Sequence, residues 1–335
     1  MISAARASEI LDNAGNKRLL VVGDLMLDRY INGSVSRISP EAPVPVVHVV
    51  DDNAVPGGAA NVALNIQSMG AQARMVGLVG SDADGETLRS MLEDQGIETE
   101  GVLGCDALRT TVKTRVVAER QQVVRFDQEG TPELVAGQVD LLCGRMEELF
   151  RDVAGVIIED YGKGVIQNAL VERVVALARE KAIPVGYDPK DDHAVSVSGI
   201  TLATPNFKEA CEAAGESVYD PLVDPATDPR LERAATALMK KWSPDLLAIT
   251  LGPHGMYLCR PGSDPVLLPT RAREVFDVSG AGDTVIATSL LALAAGADPT
   301  EAASLANYAA GVVCAKAGTA TCSREELIGA IAQDA

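Results

Sequence analysis

Short apolar runs rich in β-branched residues alternate with helical patterns along most of this chain, and that alternation restricts the fold more than any other feature. Residues 18–23 (RLLVVG) read as a buried parallel strand with a polar loop at its carboxyl end, and residues 73–79, 155–158, 183–187 and 246–251 repeat the pattern. Helical spacing of apolar residues lies between them, at 59–69, 84–95, 169–181 and 231–241. The pattern predicts an α/β fold with a mostly parallel sheet and helices on both faces, with ligands beyond the carboxyl ends of the strands. Residues 30–49 and 110–127 break the rule by alternating like strands without intervening helices. They read as a small β lid over the site or, more simply, as edge hairpins. The rest of residues 1–335 reads as one domain.

Charge narrows the partners. The formal net charge of −18 repels nucleic acid and anionic membrane surfaces, so an anionic substrate would need a local basic cluster. The six cysteines are scattered without a C-x-x-C pair, which fits reduced, buried residues. Glu9, Asp12 and Lys17 interrupt the N-terminal stretch where a secretory signal would be apolar. The apolar stretch 284–297 is too short to span a bilayer and reads as a buried core helix. These features lead us to expect a cytoplasmic protein without nucleic-acid or membrane partners.

The strongest chemical feature is residues 277–283 (DVSGAGD), directly before that apolar helix. Backbone N–H groups at a helix N-terminus attract phosphate oxygens, and Gly280, Ala281 and Gly282 leave room for close approach. Asp283 at the end of the loop can accept a proton from an attacking hydroxyl. Taken alone, the four residues fit a capped glycine turn. Other strand-end motifs keep them company. Gly57 and Gly58 open a helix carrying Asn61, where a sugar could lie against the backbone. Asp24 and Asp28 follow the first strand, placed to accept hydrogen bonds from sugar hydroxyls. Asn206 and Glu209 begin another helix, where Asn206 could face phosphates or merely cap the helix, and Glu209 could hold water on Mg²⁺. Thr250, Gly252 and Gly255 form a strand end suited to a nucleotide, or a plain hairpin turn.

In this order the motifs resemble the ribokinase-like (PfkB) sugar kinases from about Lys17 onward. Within that family, residues 23–30 (GDLMLDRY), 36–45 (SRISPEAPVP), 160–164 (DYGKG) and 188–190 (DPK) look like the heptose 7-phosphate kinases. The resemblance implies a three-layer α/β/α fold with a β lid, and ATP-dependent phosphorylation of a heptose 7-phosphate at its 1-hydroxyl, on the route to lipopolysaccharide. Asp283 would be the base, and Gly280, Ala281 and Gly282 the anion hole. Asp24, Asp28, Gly57, Gly58, Asn61 and Asp160 would hold the sugar, with Arg115, Arg120, Arg125, Lys163 and Lys190 as candidates for its phosphate. Asn206, Lys208, Glu209, Thr250, Gly252, Gly255 and Asn307 would serve the nucleotide and its Mg²⁺, and Asp277 with Ser279 a possible K⁺. Glu119 beside Arg120 departs from the pattern expected there. Bifunctional relatives carry a nucleotidyltransferase with an H-x-G-H motif, which this sequence lacks, so a stand-alone kinase is expected. Exposed lid edges suggest a homodimer. Other acceptors, such as ribose, fructose phosphate or 2-keto-3-deoxygluconate, stay open, as does a non-catalytic sugar-phosphate sensor.

Overall fold

A computed structural model describes residues 2–119, 121–131, 135–190, 195–218 and 222–334. The central sheet follows from the alternation. Strands β1 (Arg18–Gly23), β4 (Gln72–Gly80), β5 (Glu98–Cys105), β8 (Gly155–Glu159), β9 (Val185–Asp188), β10 (Leu202–Ala203) and β11 (Leu246–Thr250) are parallel, and β12 (Met256–Cys259) and β13 (Val266–Leu268) add an antiparallel edge. The order is β13-β12-β11-β10-β9-β8-β1-β4-β5. Both faces are buried because successive side chains point to opposite sides. In β1, Leu19 and Val21 join one core with α2 (Ala59–Ser68), α8 (Ala281–Ala294) and α9 (Pro299–Cys314). Leu20 and Val22 join the other core with α4 (Ala136–Leu149), α5 (Asn168–Glu180) and α7 (Pro229–Trp242).

Helix α8 is apolar all round and buried from Asp283 to Ala292, which is what a helix enclosed between sheet and outer helices requires. Its N-terminus, like that of α2, opens beyond the carboxyl ends of the parallel strands. Among the described residues no helix is long and apolar enough to cross a membrane.

A second sheet has the order β3-β2-β6-β7, from β2 (Leu25–Ile38), β3 (Pro45–Gly58), β6 (Thr111–Ala118) and β7 (Gln121–Gln128). Strands β2 and β3 reach further inward than the alternation at 30–49 suggested. Leu25, Met26 and Leu27 at the inner end of β2 and Pro56, Gly57 and Gly58 at that of β3 are all buried, so a period-two signal fails where the ribbon enters the core. The register sets Asp28 beside Lys113 and Tyr30 beside Arg115, on strands that pair in parallel.

Candidate active site

Asp283 lies in the first turn of α8 and is only 4% exposed. Two donors hold its carboxylate. Asn61 Nδ2 donates to Oδ2 at 2.7 Å, and the Tyr161 hydroxyl donates to Oδ1 at 2.7 Å. Burial raises the pKa of Asp283, and these two hydrogen bonds pull it back. Asn61 is held in turn on α2, where its carbonyl accepts from Asn65 Nδ2 at 3.0 Å while Thr284 of α8 donates to Asn65 Oδ1 at 3.0 Å. The helix start needs Gly280: its φ is 77°, and a Cβ there would lie 2.6 Å from Asn61 Nδ2. A carboxylate buried at a helix N-terminus, with exposed Gly282 before it, can accept a proton where backbone N–H groups face a developing negative charge.

The second sheet supplies the next group. Asp28 accepts from Arg115 Nη1 at 2.6 Å and from the Thr319 hydroxyl at 3.2 Å. A Cβ on Gly57 would lie 2.4 Å from Asp28 Oδ2. Gly57 therefore clears space for the Asp28 carboxylate, as Gly280 does for the Asn61 amide. Asp24 departs from expectation. It is fully buried, and its carboxylate accepts from the backbone N–H groups of Tyr161, Lys163 and Val165 at 2.9, 3.0 and 3.0 Å. Its role here is to hold the loop that carries Tyr161, because three converging amides satisfy an otherwise unpaired buried charge. Asp160 accepts from Gly162 N at 2.9 Å within the same turn.

The expected cations fall into two groups. Arg115 is inside the site; Lys163 borders it and pairs with Glu129 at 2.7 Å. Arg125 is half exposed on β7 and pairs with Asp127 at 3.0 Å, and Lys190 is exposed. Arg120 lies outside the described residues. Sequence reasoning gave no role to Lys113, whose ammonium stands 5.3 Å from the Tyr161 ring centroid. Burial lowers its pKa, and the charge of Asp28 opposes that shift. Its only sequence signal was its place in an alternating strand.

A group of acids lies beside Asp283. Glu159 at the end of β8 is fully buried, and among the described residues no group donates to either of its oxygens. Its register partner Asp188 accepts from the Thr204 hydroxyl at 2.7 Å. Burial raises the pKa of both carboxyls, and neighbouring charge adds to it, that of Asp188 and Asp283 at Glu159 and that of Glu209 and Asp283 at Asp188. Asn206 and Glu209 form a reciprocal capping box at the start of α6 (Phe207–Ala214), with bonds of 3.0 and 2.8 Å. The capping reading of Asn206 therefore holds, while the charge of Glu209 still acts on Asp188. The orphaned oxygens of Glu159 beside Asp188 suit a divalent cation, directly or through water. Among the described residues no cluster of three ligating side chains encloses a metal by itself.

On the other side of the α8 N-terminus is a cavity of about 360 Å³, lined by Thr250, Gly252, Gly255, Gly282, Asn307 and apolar side chains including Met256, Val275 and Val278. That volume is within the range of small-ligand sites. Gly252–His254 is a 3₁₀ turn joining antiparallel β11 and β12, which is the hairpin reading, and Gly252 and Gly255 also line this cavity. Asn307 Nδ2 donates to the Pro269 carbonyl at 2.7 Å. Lys208 is 61% exposed and pairs with Glu212 at 3.4 Å, away from the cavity lining. Asp277 accepts from Ser279 N at 2.9 Å and Gly318 N at 3.1 Å, tying the loop before α8 to the segment that bears Thr319.

Comparison with known proteins agrees with this arrangement. The chain is 43% identical over 317 residues to the bifunctional protein HldE of Mesorhizobium japonicum, covering 95% of this chain and 62% of that protein. It is 44% identical over 316 residues to bifunctional protein HldE of Pseudomonas aeruginosa, covering 94% and 64%. The chain thus spans less than two thirds of the length of these relatives. Phosphofructokinase-2 of Escherichia coli in complex with potassium superposes with a TM-score of 0.76 at 22% identity, covering 95% of this chain and 99% of that one. Ribokinase of Arabidopsis thaliana complexed with ribose and ATP gives 0.71 at 18% identity, covering 94% and 99%; both show the ribokinase-like fold. The model of the pfkB family carbohydrate kinases matches residues 16–326, and the chain belongs to that family.

Proposed function

We propose that this sugar kinase phosphorylates D-glycero-β-D-manno-heptose 7-phosphate at its 1-hydroxyl, with Asp283 as the base. Ribokinase-like kinases use ATP with a divalent metal. The observation that carries the assignment is the buried Asp283 carboxylate between Asn61 and Tyr161, with the cations Lys113 and Arg115 on the sheet beside it. In an acidic chain, cations gathered at this point suit an acceptor that is itself a phosphate ester. The identity to bifunctional HldE proteins and the likeness of residues 36–45 and 160–164 to heptose 7-phosphate kinases favour the heptose over other sugars.

Asp283 takes the proton of the 1-hydroxyl as its oxygen attacks the γ-phosphorus of ATP, the bond from that phosphorus to the β,γ-bridging oxygen breaks, and ADP leaves. The amides at Gly280, Ala281 and Gly282 receive the charge that builds on the phosphoryl oxygens. Asp28, Gly57, Gly58 and Asn61 line the sugar side, and Asp160 and Asp24 shape its loop. Arg115, Lys163 and Lys113 draw the 7-phosphate, with Lys190, Arg125 and Arg120 further out. Asn206, Thr250, Gly252, Gly255 and Asn307 border the nucleotide. Glu159 with Asp188, and Glu209 through water, would face Mg²⁺, whose charge, when bound, neutralises the ATP phosphates. Asp277 and Ser279 would hold K⁺; a fold relative was solved in complex with potassium.

The second sheet acts as the lid of a single kinase domain and shields the site from water. Its outer strands expose Val49, Val50, Val124 and Phe126, which supports a homodimer through lid edges. A monomeric mass in light scattering at micromolar concentration would remove the dimer. The substrate reading is tested with a panel of acceptors and coupled detection of ADP. Heptose 7-phosphate is expected to have the highest kcat/KM, and preference for ribose or fructose 6-phosphate would sink it.

A further inference from the structure

The loop 160–164 places the Tyr161 hydroxyl on the same carboxylate that the reaction needs. Tyr161 is half-buried, its backbone N–H is bound by Asp24, and its hydroxyl donates to Asp283 Oδ1 at 2.7 Å. The opposite oxygen is held by Asn61 at 2.7 Å. With one donor on each oxygen, the carboxylate has a defined plane and direction. Lys113 stacks on the Tyr161 ring at 5.3 Å, and it comes from β6, a strand of the other sheet. Among the described residues no carboxylate lies within ion-pair distance of its ammonium; the charges of Asp28 and Asp127 act on it from further away, and the ring face is the contact it makes.

We propose that Tyr161 is a positioning residue for the Asp283 base, and that Lys113, stacked on its ring, ties the direction of that base to the placement of lid strand β6 over the site. This rests on the reading of Asp283 as the base. The physical need is plain. Asp283 is surrounded by like charge, with Asp28 on β2 and Glu159 and Asp188 on the strand ends beneath it; the hydrogen bonds from Asn61 and Tyr161 and the charge of Lys113 act in the opposite direction. A buried carboxylate in such company tends to take up a proton and lose its function as a base. A charge-assisted hydrogen bond from a phenol favours the ionised form and leaves the second lone pair of Oδ1 for the acceptor hydroxyl. If β6 moves away, the ring loses its stacking partner and the base loses part of its alignment.

The test is the pH profile of kcat/KM, which reports the free enzyme. Tyr161→Phe should lower kcat about tenfold, leave the KM for the sugar phosphate within about twofold, and move the acid limb upward by about one pH unit. Replacing Tyr161 with 3-fluorotyrosine, a stronger donor of nearly the same shape, should move the limb downward. Lys113→Met should shift the limb upward by less, and adding it to Tyr161→Phe should produce little further change. An acid limb unmoved by the 3-fluorotyrosine enzyme overturns the role of Tyr161, even if Tyr161→Phe fails to fold. Shifts of Lys113→Met and Tyr161→Phe that simply add overturn the link through Lys113. Asp283→Asn separates the two readings: if it retains near-full turnover, the base assignment fails, whereas an inactive Asp283→Asn with an unmoved 3-fluorotyrosine limb sinks only the positioning role.

Discussion

The two sides of Asp283 are built on different principles. On the side proposed for the sugar, polar side chains hold one another in a closed set: Asn61 and Tyr161 on Asp283, and Arg115 and Thr319 on Asp28. On the side proposed for the nucleotide, the cavity is walled largely by apolar and small residues such as Met256, Val275, Val278, Ala310 and Cys314, and Val275 and Val278 are about two-thirds exposed at 65% and 66%. Directional bonds in a buried setting discriminate sharply, because a wrong ligand leaves a polar group unpaired. An apolar slot recognises shape and tolerates small changes. Such a division suits an enzyme that must choose among similar sugars while using one common phosphate donor.

Three substitutions would break or sharpen that contrast. The largest effect is expected from Asp283→Asn, which should lower kcat by about 10²–10⁴-fold while leaving ATP binding by calorimetry close to normal. Parallel loss of ATP binding would mean that the two sides are not separable. An intermediate effect is expected on the nucleotide side. Ala310→Leu, which narrows the cavity, should raise the KM for ATP about tenfold and leave the KM for the sugar unchanged. A change in sugar KM of similar size would erase the contrast.

The smallest effect concerns the acids between the two sides. Burial raises the pKa of Glu159 above its ordinary value, so the folded protein binds more protons there than the unfolded chain. Stability from this group is complete below the ordinary carboxylate range and declines as pH rises through it toward the raised folded value. Glu159→Gln removes that decline. Thermal unfolding should then show a gain of about 2–4 °C at pH 8 and little change at pH 4. Mg²⁺ should stabilise the parent protein more than the variant at pH 8 if Glu159 helps to hold the cation. A variant that melts earlier than the parent at pH 8 would show that Glu159 has a partner that stabilises its charge.

Legibility varied with the range of the interactions. The parallel strands, the buried helix after Asp283 and the cap at Asn206 are local, so periodicity and residue type exposed them. The inner ends of β2 and β3 were missed because their residues are buried on both faces and lose the alternation. Asp24 was misread because a carboxylate beyond a strand end looks the same in sequence whether it faces a ligand or three backbone amides. Tyr161 was noticed only as part of a motif, and Lys113 and Thr319 not at all, since nothing near them in the chain marks their partners.

What the sequence determined alone is therefore the layered α/β architecture, the order of its loops and the acid at the start of the apolar helix. Those depend on the periods of strand and helix and on the few residues that tolerate a helix N-terminus. Only the tertiary structure decided what that acid touches. Asn61 and Tyr161 reach Asp283 across 222 and 122 residues of chain, and Thr319 reaches Asp28 across 291. Contacts at such separations arise from how the sheets and helices pack, and no local pattern encodes them.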